Sequence, residues 1–186
     1  MWTFLLAFIP RAIVQGIPLL YGSTGEIITE KSGNLNLGIP GVMYVGGICG
    51  VIGSFFYERS AGGAANMNGF LAIAIPMLCC LLGSLLMGLL YCFLTVTLRA
   101  NQNVTGLALA IFGTGAGQFI GEYMRVTSGG YVAISNELKA VFANSPFPAA
   151  LQKLPVVGPL LFGQNIFVYL GLAVADEQHR FGVAQR

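Results

Sequence analysis

The stretch Gly25-Glu-Ile-Ile-Thr-Glu-Lys-Ser-Gly-Asn-Leu-Asn-Leu-Gly-Ile-Pro-Gly-Val-Met43 is a polar, glycine-rich interval between two apolar runs. Its acidic residues Glu26 and Glu30 stand four positions apart, one helical turn, and Lys31 follows them. This spacing predicts a short helix whose acidic side chains share one face. Gly33 is predicted to end that helix, because glycine is the residue that most readily turns the backbone out of it.

The residues after Gly33 predict a break in the helical backbone. Asn34 and Asn36 alternate with leucines, and Gly38, Pro40 and Gly41 predict that no continuous helix resumes before the apolar run that begins at Val42. Broken backbone next to a membrane span must be buried in protein or line a water-filled cavity, because each unpaired peptide group would cost several kcal/mol in lipid. The break is therefore the first candidate for a functional site.

Composition places the whole chain in a membrane. Of its 186 residues 55% are hydrophobic and only 9% are charged, and its mean hydropathy is +0.76, whereas a soluble domain carries about 25% charge. The net charge of +2 gives no basic stripe of the kind that a nucleic acid requires, so nucleic acid is excluded as a partner. Membrane lipid is the expected surroundings.

Three ordered blocks of the sequence resemble one transporter family. They are Leu20 to Met43, then Leu98-Arg-Ala-Asn-Gln-Asn-Val-Thr-Gly-Leu-Ala-Leu-Ala110, then Pro155-Val-Val-Gly-Pro-Leu-Leu-Phe-Gly-Gln-Asn-Ile-Phe-Val-Tyr169. The blocks are similar to permease subunits of bacterial ATP-binding-cassette (ABC) importers, in the branch for nucleosides and simple sugars that is related to the ribose and branched-chain amino acid permeases. The resemblance runs in register from about residue 4 to residue 170.

The resemblance implies a transport subunit, not an enzyme. Its expected partners are cytoplasmic ABC ATPase subunits, a second permease subunit and an extracytoplasmic solute-binding protein. ATP would be hydrolysed by the separate ATPase, and the chain would lie as a multi-pass protein in the inner (plasma) membrane of a bacterium. No catalytic residue, cofactor or metal is expected in the chain itself.

Hydropathy predicts an all-α, polytopic membrane protein with a broken or re-entrant segment. A transmembrane permease domain is predicted over residues 1–175, with spans of about 20 residues or more where the apolar runs allow them. The predicted spans are 2–21, 42–57, 70–98, 104–120 and, only in part, 166–175. Arg11 interrupts the first span, and an intramembrane charge is by default a candidate for a functional site, although a long cationic side chain can also reach the membrane interface.

Residues 122–164 are predicted to form a loop at the membrane surface, because charges and prolines recur through them. A simple alternating count places Lys31, Arg99, Arg180 and Arg186 on one side and Arg59, Arg125, Lys139 and Lys153 on the other. That count is a tie and sets no orientation. The resemblance implies that the loop is external and that Arg99 and the carboxyl-terminal tail are cytoplasmic.

Glycine spacing and the two asparagines supply the candidate site residues. Gly46 and Gly50 form a small-x-x-x-small pair that lets a partner helix approach closely, and Gly121 belongs to a further series of glycines four residues apart. These three are predicted to serve helix packing. The residues predicted to lie beside the translocation path are Asn34, Asn36, Gly38, Gly41, Gly113 and Gly117. The asparagines are candidates for binding solute hydroxyls or for holding the broken backbone, and the sequence favours the second role.

The end of the chain departs from this family. The apolar run from Ile166 to Ala175 is followed by Asp176-Glu-Gln-His-Arg-Phe-Gly-Val-Ala-Gln-Arg186, which resembles the Asp-Glu-x-His box of the ATP-dependent DNA helicase RecG, with residues 172–177 as its strand. No phosphate-binding G-x-x-x-x-G-K-[ST] loop occurs in the chain, so no helicase activity is expected. The tail predicts a truncated permease fused to foreign sequence, which alone should not transport.

An alternative function remains open at this point. A broken helix with polar side chains is also how secondary transporters and channels build a site at the membrane midplane. A carrier of that kind needs an ion gradient, whereas an ABC importer needs an ATPase and a solute-binding protein. The residues alone do not separate these two, and the resemblance favours the importer. The solute, a nucleoside or a simple sugar, is not specified by the sequence.

Overall fold

The computed structural model of the chain describes residues 2–63, 66–128, 134–152, 154 and 157–184, and of residues 2, 3, 5–7, 149, 150 and 178–184 it describes the backbone alone. Expectations for Lys153, Pro155 and Arg186 and for the side chain of Arg180 fall outside the described residues. The helices are α1 (Trp2–Lys31), α2 (Ile39–Ser60), α3 (Gly69–Cys92), α4 (Gln102–Thr127), α5 (Asn136–Ala143), α6 (Ala149–Gln152) and α7 (Ile166–Ala184). Two π-helical turns, Phe93–Thr97 and Gly158–Phe162, complete them.

The predicted all-α class is confirmed, since the regular secondary structure of the described residues is entirely helical. Within the described residues, three helical stretches are long and apolar enough to cross a membrane: Ile39–Ser60, Gly69–Thr97 and Gln102–Thr127. Only 22–28% of the residues in their apolar windows are buried within the chain. Most of the apolar surface therefore faces outward, which is the arrangement expected of helices surrounded by lipid or by other membrane subunits.

The first helix differs from the prediction. Residues 25–31 do not form a separate short helix, because α1 runs without interruption from Trp2 to Lys31 and includes Pro10 and Pro18. Ser23 and Thr24 donate their hydroxyls to the carbonyl of Leu20, at 3.0 and 2.8 Å. Hydroxyls that bond back to the preceding turn are satisfied inside a helix and do not end it.

The second helix also begins earlier than predicted. The sequence predicts no continuous helix before Val42, but α2 begins at Ile39 and has Pro40 in its first turn. Proline is tolerated there because the first backbone N–H groups of a helix have no intrahelical acceptor. The break accordingly consists of residues 32–38.

The last helix continues through the polar tail. α7 extends from Ile166 to Ala184, beyond the apolar run that ends at Ala175. Residues 172–177 are therefore helical, not the strand that the helicase-like resemblance implies.

The predicted loop 122–164 begins inside a helix. Glu122 and Arg125 lie in the last turns of α4, where they form an exposed ion pair one turn apart.

The chain divides into two compact units. The central unit is Ile28–Val141, and the terminal unit is Met1–Ile27 with Phe142–Arg186. In the central unit α2 packs against both α3 and α4. A small core forms around Met87, Tyr91 and Leu109.

The two ends of the central unit are fixed by polar contacts. At one end the Tyr57 hydroxyl accepts the backbone N–H of Asn68 at 3.0 Å, and the Glu58 carboxylate accepts the N–H of Ser135 at 3.2 Å. The other end carries the break, the carboxyl terminus of α3 and the start of α4. The turn that follows Lys31 and the turn that contains Arg99 therefore lie at the same end of this unit.

Candidate functional site

The break begins with a standard helix stop. The N–H of Gly33 donates to the carbonyl of Glu30 at 2.9 Å, and the N–H of Asn34 donates to the carbonyl of Thr29 at 3.2 Å. Gly33 has φ +86°, the left-handed conformation in which a side chain would be strained. These two bonds form a Schellman motif, so Gly33 ends α1 as the sequence predicts.

The side chain of Gln102 holds the middle of the break. Its Nε2 group donates to Oδ1 of Asn34 at 3.0 Å, and its Oε1 atom accepts the backbone N–H of Leu35 at 3.0 Å. One carboxamide therefore satisfies a side chain and a main-chain group of the break at the same time. We call this arrangement the glutamine clamp.

Tyr91 also holds Leu35, through the carbonyl group of that residue. Its hydroxyl donates to the carbonyl of Leu35 at 2.8 Å, and its side chain is 5% exposed. Both backbone polar groups of Leu35 are thus satisfied by side chains, one on α4 and one on α3. This is how protein supplies the partners that broken backbone would otherwise lack in lipid.

Asn36 closes the end of the break. Its side chain is 7% exposed, and its Oδ1 atom accepts the N–H of Gly38 at 2.9 Å. Asparagine commonly bonds the backbone two residues ahead in this way, which stabilises a turn. The side-chain carbonyl oxygens of Asn34 and Asn36 both accept hydrogen bonds from within the chain, so the geometry supports their role in holding the backbone. Contact of either residue with a solute stays a prediction.

Glycines let α4 approach the end of the break and the start of α2 closely, along a line that we call the glycine seam. A Cβ on Gly113 would lie 2.7 Å from the Cα of Gly41, and a Cβ on Gly106 would lie 2.7 Å from the backbone nitrogen of Leu37. Real Cβ atoms do not approach other atoms so closely, so neither position has room for a side chain. The seam consists of Gly38, Gly41, Gly106 and Gly113, which lie close to backbone atoms, and of Gly117, which faces the ring of Tyr44.

The seam sets how deep the break lies. Gly41 packs against Leu109 and Ala110, which are seven and eight residues into α4. At 1.5 Å per residue this is about 10–12 Å from the start of α4. The break therefore runs beside the first two turns of α4, and does not lie outside its end.

Of the other predicted glycines, Gly46 and Gly50 lie on a different surface of α2 from the seam, whereas Gly121 continues the surface of α4 that faces α2. Gly46 faces the hydroxyl of Ser84 on α3, and a Cβ on Gly50 would lie 3.4 Å from the Cβ of Cys80, an ordinary contact. A Cβ on Gly121 would lie 3.5 Å from Cδ1 of Ile48. Gly46 and Gly50 thus face α3, while Gly113 and Gly117 face α2. Placement of the last two beside a solute path stays a prediction.

Three residues of this site are missing from the prediction based on sequence, although one of them leaves a signal there. Gln102 stands in a turn that the sequence marks only as polar, and Tyr91 stands inside an apolar run. Gly106 could be found, because it precedes Gly113 by seven residues and Gly117 by eleven and so shares their helical face. Partners 56 and 67 residues apart in the chain leave no local signal.

The described residues also line other cavities, and two of them bear on the predicted spans. One, of about 340 Å³, is an apolar groove in the central unit, between the end of α3 and the start of α4, lined by Leu90, Leu94, Val104, Leu109 and Phe112 among others. The other, of about 320 Å³, lies in the terminal unit. Its polar lining comes from Arg11, Gln15, Gln164 and Asn165, so the exposed side chain of Arg11 borders this cavity.

The chain is similar to three curated transporter subunits. It is 26% identical to the guanosine ABC transporter permease protein NupQ of Bacillus subtilis over 167 residues, 90% of this chain and 48% of that protein. It is 28% identical to the putative glucose ABC transporter permease protein TsgC13 of Haloferax volcanii over 173 residues, 91% of this chain and 46% of that protein. It is 27% identical to the nucleoside ABC transporter permease protein NupC of Lactococcus lactis over 168 residues, 90% of this chain and 49% of that protein.

All three similarities are to ABC transporter permeases. The chain spans about half the length of each of these relatives. No family model matches the chain, and no solved structure matches it. The three relatives lend no support to the helicase-like resemblance of the last residues.

Proposed function

We propose that this chain is part of the permease subunit of an ABC importer and forms the translocation path for a nucleoside or a simple sugar. The observation that carries the proposal is similarity over nine tenths of the chain to three ABC transporter permeases, two of which are named for guanosine or nucleosides and one for glucose. The three helices that are apolar enough to cross a membrane support it.

The proposal divides the work between this chain and other proteins. The chain supplies helices in the membrane, while cytoplasmic ABC ATPase subunits hydrolyse ATP. A second permease subunit completes the path, and an extracytoplasmic binding protein delivers the solute and sets much of the specificity. The expected location is the inner membrane of a bacterial cell.

Within the chain we propose that the break lies beside the path. Asn34 and Asn36 would hold its backbone in place, since their side-chain carbonyl oxygens already accept hydrogen bonds from Gln102 and Gly38. The glycine seam would bring α2 and α4 together beside the same path. In this arrangement irregular backbone lies at membrane depth only where other helices supply its hydrogen-bond partners.

Uptake in cells tests the proposal. The chain would be expressed with the genes of the ATPase, the second permease subunit and the solute-binding protein of the same source, in a bacterium lacking its own nucleoside and sugar uptake systems. Uptake of radiolabelled guanosine, ribose or glucose should require all four components. It should be lost when the phosphate-binding lysine of the ATPase is replaced, and it should persist when a protonophore collapses the ion gradient. Uptake that needs the gradient and not the ATPase would identify a secondary transporter instead.

A further inference from the structure

We infer that Gln102 is a positioning residue whose carboxamide fixes the break against α4 and thereby sets the geometry of the proposed path. This inference rests on the proposed function for its consequence in transport, but not for the structural link itself. Gln102 contacts the break through both of its polar atoms, one to Asn34 and one to Leu35. Nothing in the sequence or the comparisons assigns a role to it.

The position of Gln102 is itself fixed by the turn that precedes α4. Arg99 adopts φ +53°, a left-handed conformation that is uncommon for a residue with a side chain. The N–H of Ala100 donates to the carbonyl of Leu94 at 3.0 Å. Asn101 then caps α4 by accepting the N–H groups of Asn103 and Val104. Gln102 is therefore the first residue of a helix whose start is tightly defined.

The glutamine clamp joins two segments that are 67 residues apart in the sequence. The break connects α1 to α2, whereas Gln102 is the first residue of α4 and directly follows the turn between α3 and α4. Tyr91 holds the same Leu35 from α3, so a movement of the α3–α4 turn is transmitted directly to the backbone of the break. A side chain that links two turns in this way positions the path without touching the solute.

The hydrogen bond between Asn34 and Gln102 can be tested by replacing either amide with a carboxylate. In N34D the new carboxylate still accepts from Nε2 of Gln102. In Q102E the carboxylate still accepts the N–H of Leu35, and the Asn34 amide can turn over to donate to it. Each single variant therefore keeps a donor and an acceptor in the clamp. The double variant N34D/Q102E places two acceptor-only carboxylates face to face, which repel each other.

Hydrogen exchange on the purified full chain in detergent tests the inference without any transport assay. The probe is the amide of Leu35, followed in a peptide that covers residues 32–38. Gln102→Ala should speed its exchange by about two- to tenfold, the range expected for one lost hydrogen bond. The matched control is Asn103→Ala, because the exposed side chain of that neighbour lies outside the clamp. It should leave the exchange unchanged.

Hydrogen exchange in N34D, Q102E and the double variant gives the second test. Both single variants should exchange within about twofold of the parent chain, whereas the double variant should exchange at least as fast as Gln102→Ala. Effects that simply add across the cycle would overturn the inference, because they would show that the two side chains do not interact. Exchange at Leu35 that is equal in Gln102→Ala and the parent chain would overturn it as well.

Uptake measurements distinguish a failure of this inference from a failure of the proposed function. In the complete system Gln102→Ala should lower the maximal uptake rate and leave the concentration for half-maximal uptake unchanged, because a positioning residue acts on the break and not on the solute. No uptake by the parent system would contradict the proposed function and leave the exchange result standing. Parent-like uptake by a Gln102→Ala chain whose break exchanges faster would overturn the claim that the clamp sets the path.

Discussion

Gly113 of α4 lies so close to Gly41 of α2 that a Cβ on Gly113 would stand 2.7 Å from the Cα of Gly41. The contact is between two backbones, so no side chain can rotate to relieve it. Small residues at such positions let membrane helices approach closely, and packing between helices is a main source of their association in lipid. The distance between α2 and α4 at this point therefore depends on both residues being glycine.

Replacing Gly113 should separate the two helices. Gly113→Ala is expected to lower the free energy of unfolding in detergent by about 1–3 kcal/mol, the usual cost of adding a methyl group to a packed site. Gly115→Ala is the matched control, because a Cβ at Gly115 has no neighbour within 4 Å. It should leave stability unchanged or raise it by up to about 1 kcal/mol, since alanine favours a helix over glycine. Equal stability of the two variants would contradict the backbone contact.

The α2–α3 contact should respond differently, because there a side chain fills the space. A Cβ on Gly46 would meet the hydroxyl of Ser84, and a hydroxyl can rotate or be removed. We expect Gly46→Ala to destabilise less than Gly113→Ala, and Ser84→Ala to restore most of the loss when the two are combined. A double-mutant cycle of thermal unfolding measures the coupling. A double variant no more stable than Gly46→Ala would show that Ser84 is not the obstacle.

Asn36 should be needed for the break but not for insertion in the membrane. Asn36→Leu removes the acceptor of the Gly38 N–H and leaves that group buried and unsatisfied, which costs about 1–3 kcal/mol. In the complete transport system this variant should reach the membrane at a parent-like level and take up solute more slowly. Asn36→Asp keeps the acceptor and is the control. Parent-like uptake by Asn36→Leu at normal expression would contradict the proposed role of the break.

The two ends of the central unit should face opposite sides of the membrane. The hydrogen bond between Leu35 and Gln102 places the break and the α3–α4 turn at one end, and Ser135 bonds Glu58 at the other. With Arg99 on the cytoplasmic side, as the family resemblance implies, cysteines at Ser32 and Ala100 should react with an impermeant maleimide only after the cells are lysed, and cysteines at Ala61 and Asn136 in intact spheroplasts. The unsubstituted chain, with its four native cysteines, is the control. Labelling of Ser32 and Ala100 from opposite sides would contradict the arrangement of the unit.

Part of this site follows from sequence alone. Gly33 ends α1 because it takes a left-handed conformation, and the residue types of the neighbouring Asn34, Asn36 and Gly38 are enough to mark the break. These are local effects, in which a residue type limits its own backbone. The apolar runs and their glycine spacing likewise predict helices in a membrane that pack closely.

The start of α2 shows where local reasoning fails. Pro40 and Gly41 are poor residues for a helix interior, yet α2 includes both. Pro40 lies in the first turn, where its missing N–H costs nothing. Gly41 lies against the backbone of Leu109 and Ala110, where a Cβ would have no room, and the sequence does not connect these residues to it. Tertiary packing outweighs a local preference of about 1 kcal/mol.

The sequence by itself therefore determined the helical membrane class, the end of α1 and the position of the break, because each depends on the hydropathy or conformational preference of consecutive residues. Tertiary structure alone decided what holds the break. Gln102 and Tyr91 reach Leu35 from positions 67 and 56 residues away, and only the packing of α3 and α4 against α2 brings them there. A hydrogen bond acts over about 3 Å of space, whatever the distance along the chain, so its partners are decided only when the helices are in place.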